Sequence, residues 1–419
     1  MNIKELIYLF NPWYRDQKYI PPEQVLPKRN LFSSFYKEIT EIKQISSLTG
    51  LRRTGKSTLL KQSVATLLNS HLNPSYILYF SFDQPAIKEN PELLEEIMTI
   101  FFSNIIHATP NTIKNKTYFF FDEIQLIPFW QDIIKRYYDV NQNLKFIVSG
   151  SSSLFISEKS KESLAGRIFN TNLPPLTYSE YKLLSKKTDF IDFLDFGQFP
   201  EMLELRDNAK KVEYLKEGVI GKVLEIDIVK AYGIRKTVDF ERLFWSLLPN
   251  TGQIIASYKL MSDLSLKKAT LFKYLSILEQ SLLIQKVLNL SGSFRREKRL
   301  LRKLYPASSN FLSLIPEQIN TGFKAETYIN TLLHSFTKNV YLYHHRNKEI
   351  DFILPEKQLA VEVKYQEHIA PYDYRFIESY IKDKGYKGMM ITNNYSHTIP
   401  GKNLSFVPLE EVEYHLSAM

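Results

Sequence analysis

Gly50 to Ser57 read GLRRTGKS, a glycine, four residues and then Gly-Lys-Ser. Glycines at those places let main-chain N–H groups turn inward against a nucleoside triphosphate. Lys56 then reaches the β and γ phosphates, and the Ser57 hydroxyl holds a magnesium ion. Gly50, Arg53, Thr54, Gly55, Lys56, Ser57 and Thr58 are the expected nucleotide-binding set. Downstream, NKTYFFFDEIQ places Asp122 and Glu123 directly after four aromatic residues. A carboxylate pair leaving the end of a buried strand suits phosphoanhydride hydrolysis: Asp122 holds magnesium, and Glu123 orients or deprotonates the attacking water. Ser149, Gly150, Ser151 and Ser152 end the run LKFIVSGSS and are candidate sensors of the γ phosphate. Arg167, in SLAGRIF, is a candidate for stabilising phosphate charge in its own or a neighbouring subunit, against the alternative of an ordinary surface ion pair.

A second group of chemistry-bearing residues lies in the last third. Glu326 falls in the helical run FKAETYINTLLHSF, Asp351 in the alternating run KEIDFIL, and Glu362 with Lys364 in AVEVKY. Period-two spacing puts Glu362 and Lys364 on one face of a strand. Carboxylates from separate elements can converge on magnesium, with Lys364 positioning or activating a water. The opposing reading makes these residues a solvent-facing sheet with a Glu362–Lys364 surface pair. His344 and His345 are left out of the site.

The elements needed to carry the first group are visible. KQISSLTG is a short strand ending at Gly50, and STLLKQSVATLLNS follows with Leu59, Leu60, Val64, Leu67 and Leu68 at helical spacing. That helix starts at the phosphates, where its dipole and free N–H groups favour an anion. YILYFSF, TYFFFD and LKFIVSG are further strands, so the alternation predicts an α/β domain.

The chain has 419 residues, 44% of them hydrophobic and 24% charged, the mixture of a folded protein of several domains. No run is long and apolar enough for a membrane helix, and the first residues lack a signal-peptide pattern, so the expected location is cytoplasmic with no membrane partner. With no cysteine, disulfides, thiol nucleophiles and cysteine-bound zinc are excluded. The net charge of +9 permits a polyanionic partner.

The middle of the chain is helical and charged from about Leu203 to Asp239. IIASYKLMSDLSLKKATLFKYLSILEQSLLIQKVLNL then reads as a helix-turn-helix with a possible wing. Lys267, Lys268, Thr270 and Lys273 fall on its second helix, and Lys286, Arg295, Arg296, Lys298, Arg299, Arg302 and Lys303 follow as a basic cluster. Such a cluster would give salt-sensitive DNA binding; equally, the helix pair can serve as a protein contact. The expected domains are an ATPase at 1–202, a helical connector with winged helix at 203–310, and a third domain at 311–419.

GLRRTGKSTLL, FFFDEIQ, FIVSGSS, LAGR, LPPLTYSEY and GQFPEML, in this order, resemble the AAA-superfamily ATPases of bacteria and archaea that carry a large C-terminal extension. The resemblance runs through the rest of the chain, including NPWY near its start. It implies ATP and Mg2+ as cofactors and a five-stranded parallel sheet flanked by helices. It also implies a winged helix in the middle. The helix acid, aspartate and Glu-x-Lys pair are similar to the catalytic core of restriction-endonuclease-like nucleases. The implied function is a nucleotide cycle that gates a DNA-directed module, with magnesium-dependent cleavage or a non-cleaving switch as its two possible outputs. A homo-oligomer or a protein partner is compatible with either.

Overall fold

Alternate residues of a strand face opposite ways, so a strand apolar at every position must be covered on both sides. The run TYFFFD behaves in this way: Phe119 and Phe121 enter one core, Tyr118 and Phe120 the other. In this computed structural model, residues 2–70, 72–84, 90–151, 164–234, 237–255, 257–290, 302–315, 319–366, 368–398 and 403–418 are described. Ser152, Arg295, Arg296, Lys298 and Arg299 lie outside the described residues.

The first compact unit comprises residues 1–173 with 230–232. Its strands are β1 (Ile45–Thr49), β2 (Ile77–Ser81), β3 (Thr117–Asp122), β4 (Leu144–Gly150) and β5 (Ile168–Asn172). All run parallel, in the order β2-β3-β4-β1-β5. Parallel neighbours need crossover connections, which places every strand end at one edge and every strand start at the other. α1 (Lys56–Asn69) is the crossover after β1, and Leu59, Leu60, Val64 and Leu67 bury into one core with Trp13, Phe32 and Phe35. α2 (Trp130–Val140) covers the other face through Trp130 and Ile134. Gln62 is also buried, because its Nε2 donates to the carbonyls of Glu23 and Leu26. The chain before β1 therefore wraps a side of α1 that the leucine pattern leaves polar.

The second unit comprises residues 174–229 and 233–419. Two helices, α3 (Ser257–Asp263) and α4 (Lys268–Gln280), fall in the segment read as a helix-turn-helix, and α4 buries Leu271, Tyr274, Leu275, Ile277 and Leu278. Next come β6 (Ile284–Asn289), β7 (Arg302–Pro306), α5 (Thr321–Phe336), β8 (Tyr341–His345), β9 (Lys348–Leu354), β10 (Leu359–Lys364), α6 (Pro371–Lys384), β11 (Lys387–Thr392), β12 (His397–Thr398) and β13 (Leu404–Pro408). These strands make one eight-stranded mixed sheet in the order β12-β13-β11-β10-β9-β8-β6-β7. α5 packs on one face and α6 on the other.

The two compact units divide the chain at other places than the expected boundaries. The segment after Leu173 clusters with the second unit, since Tyr178, Tyr181, Phe190 and Phe193 share a core with Tyr328 and Ile329 of α5. A division at 310 would cut through a sheet. β6 and β7 pair with each other as a wing would, but β6 also pairs in parallel with β8, Leu288 beside Tyr341.

Candidate nucleotide site and a buried carboxylate cluster

The first site forms where β1 ends. Gly55 adopts φ 95° and Arg53 φ 65°, left-handed conformations that turn the chain from strand into helix. Gly50 is required for another reason: a Cβ there would lie 2.5 Å from the Leu173 carbonyl oxygen. The loop is braced from within, since Thr54 Oγ1 donates to the Leu51 carbonyl at 3.0 Å. Arg29, buried and absent from the expected set, donates through Nη1 to the Thr54 carbonyl at 2.6 Å. Lys56 Nζ donates to the carbonyls of Gly50 and Leu51 at 3.1 and 2.9 Å, so its ammonium folds back over the loop. Ser57 is exposed and Thr58 half-buried at the helix start.

Asp122 ends β3 with 2% exposure. Ser149 Oγ, from the end of β4, donates to its Oδ1, and Tyr79 OH, from β2, donates to its Oδ2 at 3.0 Å. Burial, then the charge of Asp122, raises the Tyr79 pKa well above its ordinary value, so this hydroxyl keeps its proton. Tyr79 reads in the sequence only as one residue of a strand, and nothing marks it as a partner of Asp122. Of the expected sensors, Ser149 meets the aspartate. Ser151 is buried and lies 3.5 Å from Gln125 Nε2.

Glu123 sits just beyond the strand at φ 56°, a conformation costing a non-glycine residue about 1–3 kcal/mol. Gln125 Nε2 donates to Glu123 Oε2 at 2.6 Å, while Gln125 Oε1 is buried without a partner. Burial raises the Glu123 pKa; Lys56 opposes this, Asp122 reinforces it, and Gln125 and Arg52 oppose it. The loop cations and this carboxylate are therefore within electrostatic reach of each other. Ser57 and Asp122 supply only hydroxyl and carboxylate oxygen, the donor types magnesium takes, and the residues fit that ion beside a triphosphate.

Arg167 is not part of this arrangement. It precedes β5, and its carbonyl accepts from Ile45 N at the start of β1, the sheet edge opposite the loop. Five residues of strand separate the edges, roughly 16 Å. Its guanidinium pairs with Asp139, Nε to Oδ1 at 3.0 Å, with both side chains more than a third exposed or nearly so. The ion pair with Asp139, the alternative weighed for Arg167, is what forms.

The second group is brought together, but not as a metal site. Glu326 of α5, Asp351 of β9 and Glu362 of β10 are all buried. Between them stands Lys303 of β7, which the sequence assigns to a DNA-facing basic cluster. It is 1% exposed. Its Nζ lies 3.1 Å from Glu326 Oε1, 2.9 Å from Glu349 Oε1 and 3.1 Å from Asp351 Oδ1. Tyr305, two residues along the same strand, donates to Glu326 Oε1 at 2.6 Å. Asp351 Oδ2 accepts from Val363 N at 3.0 Å, and Glu362 pairs with Lys364 at 3.0 Å. Burial, then the neighbouring Asp351 charge, pushes Glu326 up to about 7 and Glu362 up to about 8. Among the described residues no group of three or more His, Asp or Glu side chains is disposed to hold a metal ion. Of the expected magnesium set, Glu326 and Asp351 meet the Lys303 ammonium, and Glu362 meets Lys364 instead.

Lys286 pairs with Glu279 at 2.6 Å. Lys267, Lys268 and Lys273 are exposed, and Thr270 is half-buried. No helix among the described residues is long and apolar enough to cross a membrane.

Residues 43–182 match the family description of an AAA domain, and residues 187–327 that of a domain of unknown function, DUF8612. An uncharacterized protein of Haemophilus influenzae is 26% identical over 58% of this chain and 62% of its own length, so the chain spans less than two thirds of that relative. An uncharacterized protein of Methanocaldococcus jannaschii is 26% identical over 77% of this chain and 75% of its own. Among solved structures, a Walker-type ATPase of Pyrococcus abyssi is similar at 16% identity, covering 72% of this chain and all of that one, with a TM-score of 0.42. The Orc1 protein of Aeropyrum pernix, solved with DNA, follows at 15% identity, 72% and 94% coverage and a TM-score of 0.34. The parallel sheet and the loop at the end of β1 fit a P-loop NTPase domain, and the AAA-domain match falls on the same residues.

Proposed function

We propose that this chain is an ATP-hydrolysing switch whose nucleotide state controls a nucleic-acid-contacting helix pair. The observation that carries the first half is the convergence of Lys56, Asp122 and Glu123 at one edge of the parallel sheet. Lys56 and the loop N–H groups hold the β and γ phosphates. Ser57 and Asp122 are the residues that would hold magnesium, which when bound neutralises phosphate charge. Glu123 accepts a proton from the attacking water, and Gln125 fixes the orientation of its carboxylate. Tyr79 and Ser149 align Asp122 by donating one hydrogen bond to each of its oxygens.

Lys56→Ala is expected to weaken Mg-ATP binding on the order of 100-fold, about 2.7 kcal/mol. Glu123→Gln should keep binding while slowing turnover roughly 10²–10³-fold. Equilibrium nucleotide binding beside single-turnover hydrolysis separates the two; ordinary turnover in both variants would refute the reading.

For the output, the exposed Lys267, Lys268 and Lys273 support phosphate contact by α4. Of the two outputs the sequence leaves open, the position of Lys303 among the carboxylates favours the non-cleaving switch.

A further inference from the structure

A divalent ion bound by three carboxylates sits at their common centre, about 2.1–2.5 Å from each oxygen. In the second unit that centre holds nitrogen. Lys303 Nζ has Glu326, Glu349 and Asp351 at 3.1, 2.9 and 3.1 Å, which are hydrogen-bond distances that use an ammonium's three protons. Lys303 cannot be there incidentally. β7 is an ordered strand paired with β6 along Arg302–Pro306, and the Lys303 backbone also bridges Ile254. The register that sends Tyr305 to Glu326 sends Lys303 to the same face. The Lys303 side chain is 2% exposed, so its ammonium meets these carboxylates out of solvent.

We infer that Lys303 is the resident cation of this cluster: the second unit holds an internal ammonium where a divalent ion would bind, and performs no metal-dependent phosphodiester cleavage. The inference concerns the second unit alone and stands whether or not the phosphate loop hydrolyses ATP. It also accounts for a buried lysine preceded by three other basic residues in KRLLRK, a setting in which a solvated side chain would be expected.

The test is Mn2+ binding to the nucleotide-free full chain, followed by electron paramagnetic resonance, in an Asp122→Asn background that removes the carboxylate of the first site. With Lys303 intact, no Mn2+ should bind below millimolar concentration. Adding Lys303→Gln should create a site at least tenfold tighter, and a further Asp351→Asn should remove it. Mn2+ binding with Lys303 intact that disappears on Asp351→Asn overturns the inference. So does a folded Lys303→Gln chain that gains no Mn2+. Should Lys303→Gln fail to fold, the Lys303-intact arm still decides, joined by incubation of that chain with duplex DNA and Mn2+: intact DNA supports the inference, and cleavage that Asp351→Asn abolishes overturns it.

Discussion

At the scale of single residues, the two carboxylate sites differ in what compensates their buried charge. Asp122 is met by two neutral hydroxyls, which leave its charge available to an incoming cation. The second cluster is met by an ammonium, which consumes that charge. Glu123 lies between these cases: burial lifts its pKa, and the Gln125 amide is one of the groups pulling it back. A base must be ionised, so turnover should fall as pH drops through this raised value, at higher pH than an ordinary glutamate would impose. Gln125→Ala removes a lowering influence, so the acid limb of the kcat profile should move upward while the KM for ATP stays within about twofold, with kcat at neutral pH reduced roughly tenfold. An unmoved acid limb would assign Gln125 a purely structural role. The sequence makes Gly50–Ser57, Asp122 and Glu123 legible because phosphate chemistry requires them contiguous or at strand ends. Tyr79 and Lys303 act through register between strands far apart in the chain, and no local pattern encodes that.

At the scale of elements, strands and helices of the first unit follow from apolar runs and helical spacing, since a doubly covered parallel strand has no other composition open to it. Less legible was which side of α1 stays dry, because polar Gln62 is buried by carbonyls supplied from residues 23 and 26. The two helices fall where the sequence suggests them, but the strands after them, read as a possible wing, form the margin of a large sheet; a pairing partner 53 residues on, Tyr341 for Leu288, decides that. For α4, replacing Lys267, Lys268 and Lys273 together by glutamine should lower duplex affinity and reduce the slope of log affinity against log salt by about three. An unchanged slope in fluorescence anisotropy would move the function of α4 from phosphate contact to protein contact.

At the scale of the whole molecule, the sequence suggested three domains where the contacts give two units, because compactness follows shared cores and sheets, not shifts of composition. A fragment of residues 311–419 would lack β6, β7 and Lys303. It would present β8 as an open edge and leave the Glu326, Glu349 and Asp351 carboxylates without their counter-ion. Size-exclusion chromatography and thermal unfolding of that fragment should show aggregate or no cooperative transition; a soluble monomer with one sharp transition would contradict this. The pairing of Leu288 beside Tyr341 has a consequence for descent. The strands that follow the helix pair and the carboxylate-bearing strands share one sheet, so exchanging either for a foreign counterpart would require remaking the other. They should be inherited together, and a lineage that altered Lys303 would be expected to alter its acidic partners in step.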